Sequence, residues 1–232
     1  MSMSQNTIKL QEIFLSVQGE GYDSGLPTIF VRLFGCNLIE PGHSSGCRYC
    51  DVVQNIKDKK KYTVEDLVRI IRQFGIPRVC FTGGEPLIQW DSLSMVVLEL
   101  VTFGFDVSIE TNGCTPIEPD KYARSFKYVM DVKCPSSRMS HRNILDNLKL
   151  LQPHDEVKFV VANEKDYEYM KKIMGSYPIP AKVLVSPCFV REIDESYGNY
   201  CASGRTIVGW LLRDKLSQVR LSLQQHKILG VP

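Results

Sequence analysis

Short apolar runs recur along this chain, and each is followed by a polar or glycine-containing turn. Segments with helical periodicity separate several of these runs, and this alternation is typical of parallel β/α units joined by right-handed crossovers. About six such units fit the chain, fewer than a complete barrel needs. We therefore predict an α/β fold, an incomplete (β/α)6 TIM-like barrel with its active site at the C-terminal ends of the strands. The predicted strands are residues 28–34, 78–81, 106–109, 126–132, 157–161 and 182–185.

The most regular helical pattern covers residues 63–75, which read TVEDLVRIIRQFG. Thr63 is the predicted N-cap, with Asp66 three residues later, and Gly75 is the predicted stop. The other predicted elements are helices over residues 88–103 and 204–216, a strand over 218–223, and an alternating segment over 8–21 that breaks at its glycines.

Length and charge narrow the class of protein. A chain of 232 residues fits one domain with one active site, so we predict a single domain over residues 1–232. The 28 basic and 26 acidic residues nearly balance, and a net charge of +2 argues against nucleic-acid binding. The most basic run, KDKKK at residues 57–61, is broken by an acid and is interpreted as a solvated turn.

Eight cysteines without an apolar leader favour a reducing compartment, and we expect a cytoplasmic location. No apolar run approaches the length of a membrane span, so no membrane association is expected. Five of the cysteines are interpreted as small buried hydrophobic residues: Cys80, Cys114, Cys134, Cys188 and Cys201.

The other three cysteines stand in one loop after the strand at residues 28–34. Cys47 and Cys50 form a C-x-x-C pair, and Cys36 precedes them. Three thiolates make a soft site that suits iron–sulfur chemistry or zinc. A zinc site would need a fourth protein ligand, for which His43 is available, whereas a cluster held by three cysteines leaves one iron open. These residues alone leave both hypotheses standing.

Three further motifs follow predicted strands: TGGEP at residues 82–86, ETNG at 110–113 and KCPSS at 133–137. Because the C-terminal ends of parallel strands share one rim, we expect these motifs to converge with the cysteine loop. Arg32 stands inside an apolar strand and needs a partner. The pattern leaves two interpretations open, an edge position that faces water and a guanidinium aimed at a carboxylate.

The ordered set of motifs resembles the radical S-adenosylmethionine superfamily and, within it, the 7-carboxy-7-deazaguanine synthases. The set consists of SVQGEG at residues 16–21, the cysteine loop, TGGEP, ETNG, DVKCPSS and the ending HKILGVP. Ten residues separate Cys36 from Cys47, an enlarged gap relative to the superfamily's usual C-x3-C. The resemblance implies a carbon–nitrogen lyase that contracts 6-carboxy-5,6,7,8-tetrahydropterin to 7-carboxy-7-deazaguanine by radical chemistry. Ammonia is lost in this reaction, which belongs to 7-deazapurine (queuosine-type) biosynthesis.

The same resemblance implies roles for individual residues. Cys36, Cys47 and Cys50 would hold a 4Fe–4S cluster whose open iron binds S-adenosylmethionine. The cluster-binding loop would span about residues 35–61, and the C-terminal tail would close over the substrate. Residues implied to bind S-adenosylmethionine are Tyr49, Gly83, Gly84, Glu85, Glu110, Asn112, Ser136 and Ser137. Residues implied to bind the pterin are Gln18, Glu20, Arg32, His226 and Pro232. An electron donor such as flavodoxin or ferredoxin and a homodimer are the expected partners.

Two positions depart from the family pattern. The family often has Thr or Ser after the C-x-x-C-D run, where a hydroxyl helps to bind Mg²⁺, but this chain has Val52. Valine offers no side-chain oxygen to a hard cation, so we expect weakened magnesium dependence or an ion held by substrate, water and another oxygen. Ser186 and Pro187 stand where a Gln-Pro pair is expected, which weakens the expected pterin contact from that strand.

Two alternatives remain at this point. A glycyl-radical activase would share the cysteines and TGGEP, but not the Gln18, Glu20 and Arg32 set or the HKILGVP ending. A non-catalytic zinc module would use the three cysteines with His43, but it leaves TGGEP and ETNG unexplained.

Overall fold

The computed structural model describes residues 6–39, 46–50, 52, 59–118, 124–189 and 201–232, and all structural statements below concern these residues. His43, the fourth ligand of the zinc hypothesis, lies outside the described residues, as do Lys57 and Asp58 of the basic run. No helix in the described part of the chain is long and apolar enough to span a bilayer.

Nine strands form one mixed sheet in the order β3-β1-β2-β4-β5-β6-β7-β8-β9. Strands β2 and β4 to β9 pair in parallel, whereas β1 pairs antiparallel with both β2 and β3. The strands are β1 (Thr7–Val17), β2 (Pro27–Leu33), β3 (Lys60–Thr63), β4 (Arg78–Gly83), β5 (Asp106–Thr111), β6 (Lys127–Val132), β7 (Glu156–Val161), β8 (Lys182–Pro187) and β9 (Val219–Leu221). The α/β class is thus confirmed, and the sheet is consistent with a partial barrel.

Five α-helices lie in the described ranges: α1 (Val64–Gln73), α2 (Trp90–Thr102), α3 (Glu164–Ser176), α4 (Gly204–Arg213) and α5 (Gln225–Leu229). Helices α1 to α4 precede β4, β5, β8 and β9 as crossovers. The described parts of the connections into β6 and β7 hold no α-helix, and short 3₁₀ turns precede β7. The count of six β/α units is therefore not confirmed.

The predicted caps explain where α1 begins and ends. The Thr63 hydroxyl accepts a hydrogen bond from the backbone N–H of Asp66 at 3.1 Å, as an N-cap residue does. Gly75 has φ +69°, the left-handed conformation that ends many helices. The helix predicted from residue 88 begins at Trp90 instead, because a 3₁₀ turn capped by Glu85 precedes it.

Alternation along the parallel strands separates an apolar core from a polar barrel interior. One face of β6 and β7 packs in the core with Tyr128, Met130, Val132, Val157, Phe159 and Val161. The opposite face carries Lys127, Val129, Asp131, Glu156, Lys158 and Val160 into the barrel interior. Charged side chains inside the barrel therefore come from regular strands, and their positions are fixed by strand register.

Candidate active site

A cavity of about 700 Å³ occupies the barrel interior and holds most of the residues singled out in the sequence. Cluster, cofactor and substrate candidates line the same space, so the motifs do converge. The predicted residues that line it are Gln18, Glu20, Arg32, Cys36, Cys47, Tyr49, Cys50, Val52, Gly83, Gly84, Glu110, Asn112, His226 and Pro232. Glu85, Ser136 and Ser137 are not among its lining residues.

The three loop cysteines line this cavity, and none of them is in a disulfide. Cys36 is half-buried, Cys47 is buried and Cys50 is exposed. Cys50 N–H donates to the carbonyl of Cys47 at 3.1 Å, which closes the C-x-x-C turn. Burial raises the pKa of Cys36 and raises that of Cys47 to about 11, so these thiols stay protonated until a metal binds them. No three His, Cys, Asp or Glu side chains in the described ranges are grouped for a single metal ion.

The glycine turn after β4 is fitted closely against the start of the cysteine loop. Gly83 has φ +109°, and a Cβ there would lie 2.6 Å from both the backbone N and O of Leu33. Gly84 N–H donates to the Leu33 carbonyl at 3.1 Å, and Glu85 N–H donates to the Gly35 carbonyl at 2.7 Å. Only glycine fits at position 83, since any side chain would collide with backbone.

Glu85 is fully buried behind the cavity wall rather than in it. Its carboxylate accepts hydrogen bonds from the backbone N–H groups of Leu87 and Asn112, at 3.0 and 2.7 Å, and from the Thr111 hydroxyl at 2.8 Å. Burial raises the pKa of Glu85, although these donors and Lys133 favour the charged form. Glu85 thus holds the side chain of Thr111 and the backbone of Asn112, two residues that do line the cavity.

Ser136 and Ser137 likewise hold backbone. Ser136 N–H donates to Asp166 at 2.9 Å, and the Ser136 hydroxyl accepts from Asn163 at 2.9 Å. The fully buried Ser137 hydroxyl donates to the Cys134 carbonyl at 2.6 Å. The Ser137 carbonyl accepts from Arg48 N–H at 3.1 Å, which ties this turn to the C-x-x-C loop.

The turn between β1 and β2, residues 18–26, enters the cavity from the end opposite to the cysteine loop, because β1 runs antiparallel to β2. Lys127 Nζ lies 2.5 Å from Asp23 and 2.8 Å from Glu156, and this pairing fastens the turn to the beginnings of β6 and β7. Gln18 donates to Glu110 at 3.4 Å. The C-terminal ends of the strands, where the site was expected, are therefore joined in lining the cavity by a turn from the opposite end of the barrel.

Glu20 is held between a strand and the C-terminal tail. Its carboxylate lies 2.5 Å from Lys158 Nζ on β7 and accepts from Gln224 Nε2 at 2.6 Å. Burial alone would raise the pKa of Glu20, but Lys158, Gln224 and His226 lower it below its ordinary value. Glu20 is therefore a carboxylate at neutral pH.

The C-terminal tail is docked on the end of β1. Gln225 N–H donates to the Gly19 carbonyl at 2.9 Å, and the Ser16 hydroxyl donates to the Pro232 carbonyl at 2.8 Å. A Cβ at Gly19 would lie 1.8 Å from His226 Nδ1, so glycine is needed for this approach. The docking brings His226 and Pro232 to the cavity.

Arg32 has a partner that the sequence did not reveal. Its Nε lies 2.7 Å from Glu12, the residue opposite it on β1, and its guanidinium lies 5.5 Å from the centre of the Phe14 ring. The side chain lines the cavity and is 23% exposed. Of the two interpretations of Arg32, the one in which its guanidinium faces a carboxylate is met by Glu12 of the same chain. The guanidinium keeps further donors for a ligand.

Comparison with known proteins decides the family. The model of the radical SAM superfamily matches residues 33–161. The 7-carboxy-7-deazaguanine synthase of Methanospirillum hungatei is 38% identical over 226 residues, which cover 97% of this chain and 86% of that protein. The enzymes of the same name from Koribacter versatilis and Clostridium acetobutylicum are each 33% identical to this chain. Each match covers 97% of this chain, and the matches cover 98% and 96% of the two enzymes, respectively.

The chain belongs to the 7-carboxy-7-deazaguanine synthase family of radical SAM enzymes. The crystal structure of QueE from Escherichia coli has a TM-score of 0.70 and 23% sequence identity, and the match covers 97% of this chain and 100% of that one. At this identity the likeness shows a shared fold.

Membership of the 7-carboxy-7-deazaguanine synthase family implies a 4Fe–4S cluster and S-adenosylmethionine, and the residues present fit both. Three cysteine thiols on one cavity are the donor set of a cluster with an open iron. In the same cavity, Oδ1 of Asp131 and Oη of Tyr49 are buried without a hydrogen-bond partner among the described residues. Because buried polar atoms are nearly always hydrogen-bonded, these two atoms are available to a bound ligand or water. Val52 lines the cavity without a side-chain oxygen and does not fit Mg²⁺.

Sequence reasoning assigned no role to three charged residues of this cavity. They are Asp131 on β6, Lys133 just after it, and Lys158 on β7. Lys133 Nζ lies 2.8 Å from Asp131, and the pKa of Lys133 is raised because this charge outweighs the opposing effect of burial. The rule that singled out Arg32, a charge inside an apolar strand, would have found Asp131 in KYVMDV and Lys158 in EVKFVV.

Proposed function

We propose that this chain catalyses the radical-mediated ring contraction of 6-carboxy-5,6,7,8-tetrahydropterin to 7-carboxy-7-deazaguanine with loss of ammonia, in 7-deazapurine biosynthesis. The observation that carries the proposal is one cavity that joins the three-cysteine set to Gln18, Glu20 and Arg32. A cluster enzyme of another specificity would not need the second set beside the first.

Cys36, Cys47 and Cys50 would hold the cluster, with its open iron towards the cavity. When bound, the cluster and S-adenosylmethionine together supply a 5′-deoxyadenosyl radical that removes a hydrogen atom from the substrate. Gly83 and Gly84 have no side chains, so S-adenosylmethionine could approach their backbone closely. Tyr49, Glu110 and Asn112 would line the part of the cavity that holds this cofactor. Glu85 and Ser137 act from behind the wall, since they hold the backbone of Asn112 and of the C-x-x-C loop, and Ser136 ties the same turn to Asn163 and Asp166.

On the opposite side, the Glu20 carboxylate would accept hydrogen bonds from the guanidine-like edge of the pterin, and the Gln18 amide would accept from that edge or donate to it. Arg32 is the donor for the substrate carboxylate, because its planar guanidinium matches a carboxylate. His226 and the terminal carboxylate of Pro232 would close the site from the tail. Together these groups orient the ring and exclude water while the radical is present.

The proposal extends to organisation. The chain would act as a single domain over residues 1–232, an incomplete (β/α)6 barrel with a cluster-binding loop at about 35–61 and a substrate-closing tail. Flavodoxin or ferredoxin would reduce the cluster near Cys50, the exposed thiol. A homodimer and a cytoplasmic location complete the proposal, and eight cysteines outside any disulfide support a reducing compartment.

Anaerobic reconstitution followed by turnover tests this function. Protein loaded with iron and sulfide is incubated with reductant, S-adenosylmethionine and the carboxytetrahydropterin, and products are identified by mass spectrometry. We expect 7-carboxy-7-deazaguanine only when all components and the wild-type cysteines are present. Formation of deoxyadenosine without the deazaguanine would reject the substrate, as a glycyl-radical activase predicts. A colourless, zinc-loaded protein would reject the cluster.

A further inference from the structure

The ion pair between Lys158 and Glu20 is one of the most enclosed on the cavity wall. The two side chains are 13% and 14% exposed, and their charged atoms lie 2.5 Å apart. Lys158 comes from the middle of β7, whereas Glu20 comes from the turn between β1 and β2, a segment with no regular structure of its own. A rigid strand thus holds a carboxylate on a turn.

Charged groups on several neighbouring elements face this pair, and Lys133, just after β6, is the like charge that opposes Lys158. Glu110 on β5 and Asp131 on β6 lie near Lys158 and favour its charge. His226 on α5 favours the charge of Glu20. Deeper in the barrel, Lys127, Asp23 and Glu156 form a separate ionic group below the same turn. Among the side chains that lower the pKa of Glu20, Lys158 makes the largest contribution.

The ionisation of Glu20 decides what it can recognise. A carboxylate only accepts hydrogen bonds and therefore matches the N–H groups of a 2-amino pyrimidine edge. A protonated carboxyl group would present a donor to that edge. Without Lys158, burial would dominate and the pKa of Glu20 would rise, since desolvation is the largest single influence on it.

We propose that Lys158 is a positioning residue that keeps Glu20 ionised and aimed at the donor edge of the substrate, and thereby makes the site selective for a 2-amino over a 2-oxo pterin. The inference rests on the proposed function, which supplies the substrate. Lys158 acts through Glu20 and takes no part in the radical step. A 2-oxo ring would set its carbonyl against the carboxylate and leave buried acceptors unpaired.

The test measures the Michaelis constant for the carboxytetrahydropterin between about pH 6 and pH 9. At each pH, the Michaelis constant of a variant is divided by that of the wild-type enzyme, and this quotient is the ratio used below. For Lys158→Met we expect a ratio that is high at acidic pH and falls as pH rises, by about tenfold per unit below the raised pKa of Glu20. Lys158→Arg keeps the positive charge, so its Michaelis constant should stay close to that of the wild-type enzyme at every pH. Glu20→Gln has no carboxyl group to titrate, so its ratio should stay flat.

The double variant Lys127→Met/Glu156→Gln is the matched control, because it loosens the same turn without leaving the buried Glu156 carboxylate unpaired and able to titrate. A purely structural loss should raise the ratio of this double variant equally at all pH values. A flat ratio for Lys158→Met, large or small, would overturn the inference, since direct binding or scaffolding by Lys158 predicts no titration.

A second measurement needs no variant of Lys158 and covers the case in which Lys158→Met fails to fold. The wild-type enzyme should keep its preference for the 2-amino substrate over the 2-oxo analogue down to about pH 5, whereas Glu20→Gln should lose most of it. Equal selectivity in both proteins would overturn the inference. Absence of turnover in the wild-type protein would reject the proposed function and this inference together, so the two failures are distinguishable.

Discussion

At the scale of single residues, Val52 stands where the family resemblance implies a hydroxyl. Its side chain faces the cavity and offers no oxygen. We predict that chelation of Mg²⁺ changes the turnover of the wild-type protein little, and that Val52→Thr creates a saturable Mg²⁺ response. Val52→Ala is the control for volume alone. Strong, saturable Mg²⁺ dependence of the wild-type protein would contradict the prediction.

Gly83 gives a second prediction, on stability. Gly83→Ala should lower the free energy of unfolding by roughly 1–3 kcal/mol more than Gly104→Ala does. Both glycines have positive φ, at +109° and +81°, but only the Cβ at position 83 would meet backbone atoms. Urea denaturation of the two variants measures the difference. Equal losses would mean that the backbone adjusts and that close packing against Leu33 is not required.

Individual residues differ in how far sequence could anticipate them. The three cysteines and the glycines were found because their spacing is local. The position of Glu85 behind the cavity wall could not be predicted, because its partners Thr111 and Asn112 lie 26 and 27 residues away in the chain. Asp131 and Lys158 could have been found, since a charge in an apolar strand must face a polar interior or a partner.

At the scale of elements, the C-terminal tail with α5 forms one side of the cavity and should undock when its contact with Glu20 is lost. Gln224 joins Glu20 to Lys227, with distances of 2.6 and 2.8 Å. Gln224→Glu would set two carboxylates against each other, so we predict faster hydrogen exchange over residues 224–232 and a higher Michaelis constant for the pterin. Cleavage of S-adenosylmethionine without substrate should stay unchanged.

Gln225→Glu is the matched control for this prediction, because it adds the same charge one residue later at an exposed position. If both variants behave alike, net charge rather than the contact with Glu20 governs the docking of the tail.

Elements with strong periodicity were predicted well, and those set by distant contacts were not. Helix α1 follows directly from its cap and its apolar positions. The turn between β1 and β2 could not be placed, since only the antiparallel pairing of β1 sends it to the far end of the barrel. Strand β3 was missed for the same reason: its polar KKYT sequence is a strand only because it pairs with the start of β1.

At the scale of the whole molecule, the cavity is built by two halves with different tasks. The C-terminal ends of the strands carry the cysteines and the glycine turn, whereas the β1–β2 turn and the tail carry Gln18, Glu20 and His226. The sheet order and the ion pairs of Lys127 and Lys158 hold the two halves together. A radical formed at one end would therefore meet a substrate fixed from the other.

The most direct test of this account is to measure ammonia and 7-carboxy-7-deazaguanine together, in one anaerobic reaction of the reconstituted wild-type protein with reductant, S-adenosylmethionine and 6-carboxy-5,6,7,8-tetrahydropterin. The account predicts that both products appear in equal amounts, over many turnovers, and that neither appears with Cys47→Ala. Deoxyadenosine without either product, or ammonia without the deazaguanine, would contradict it.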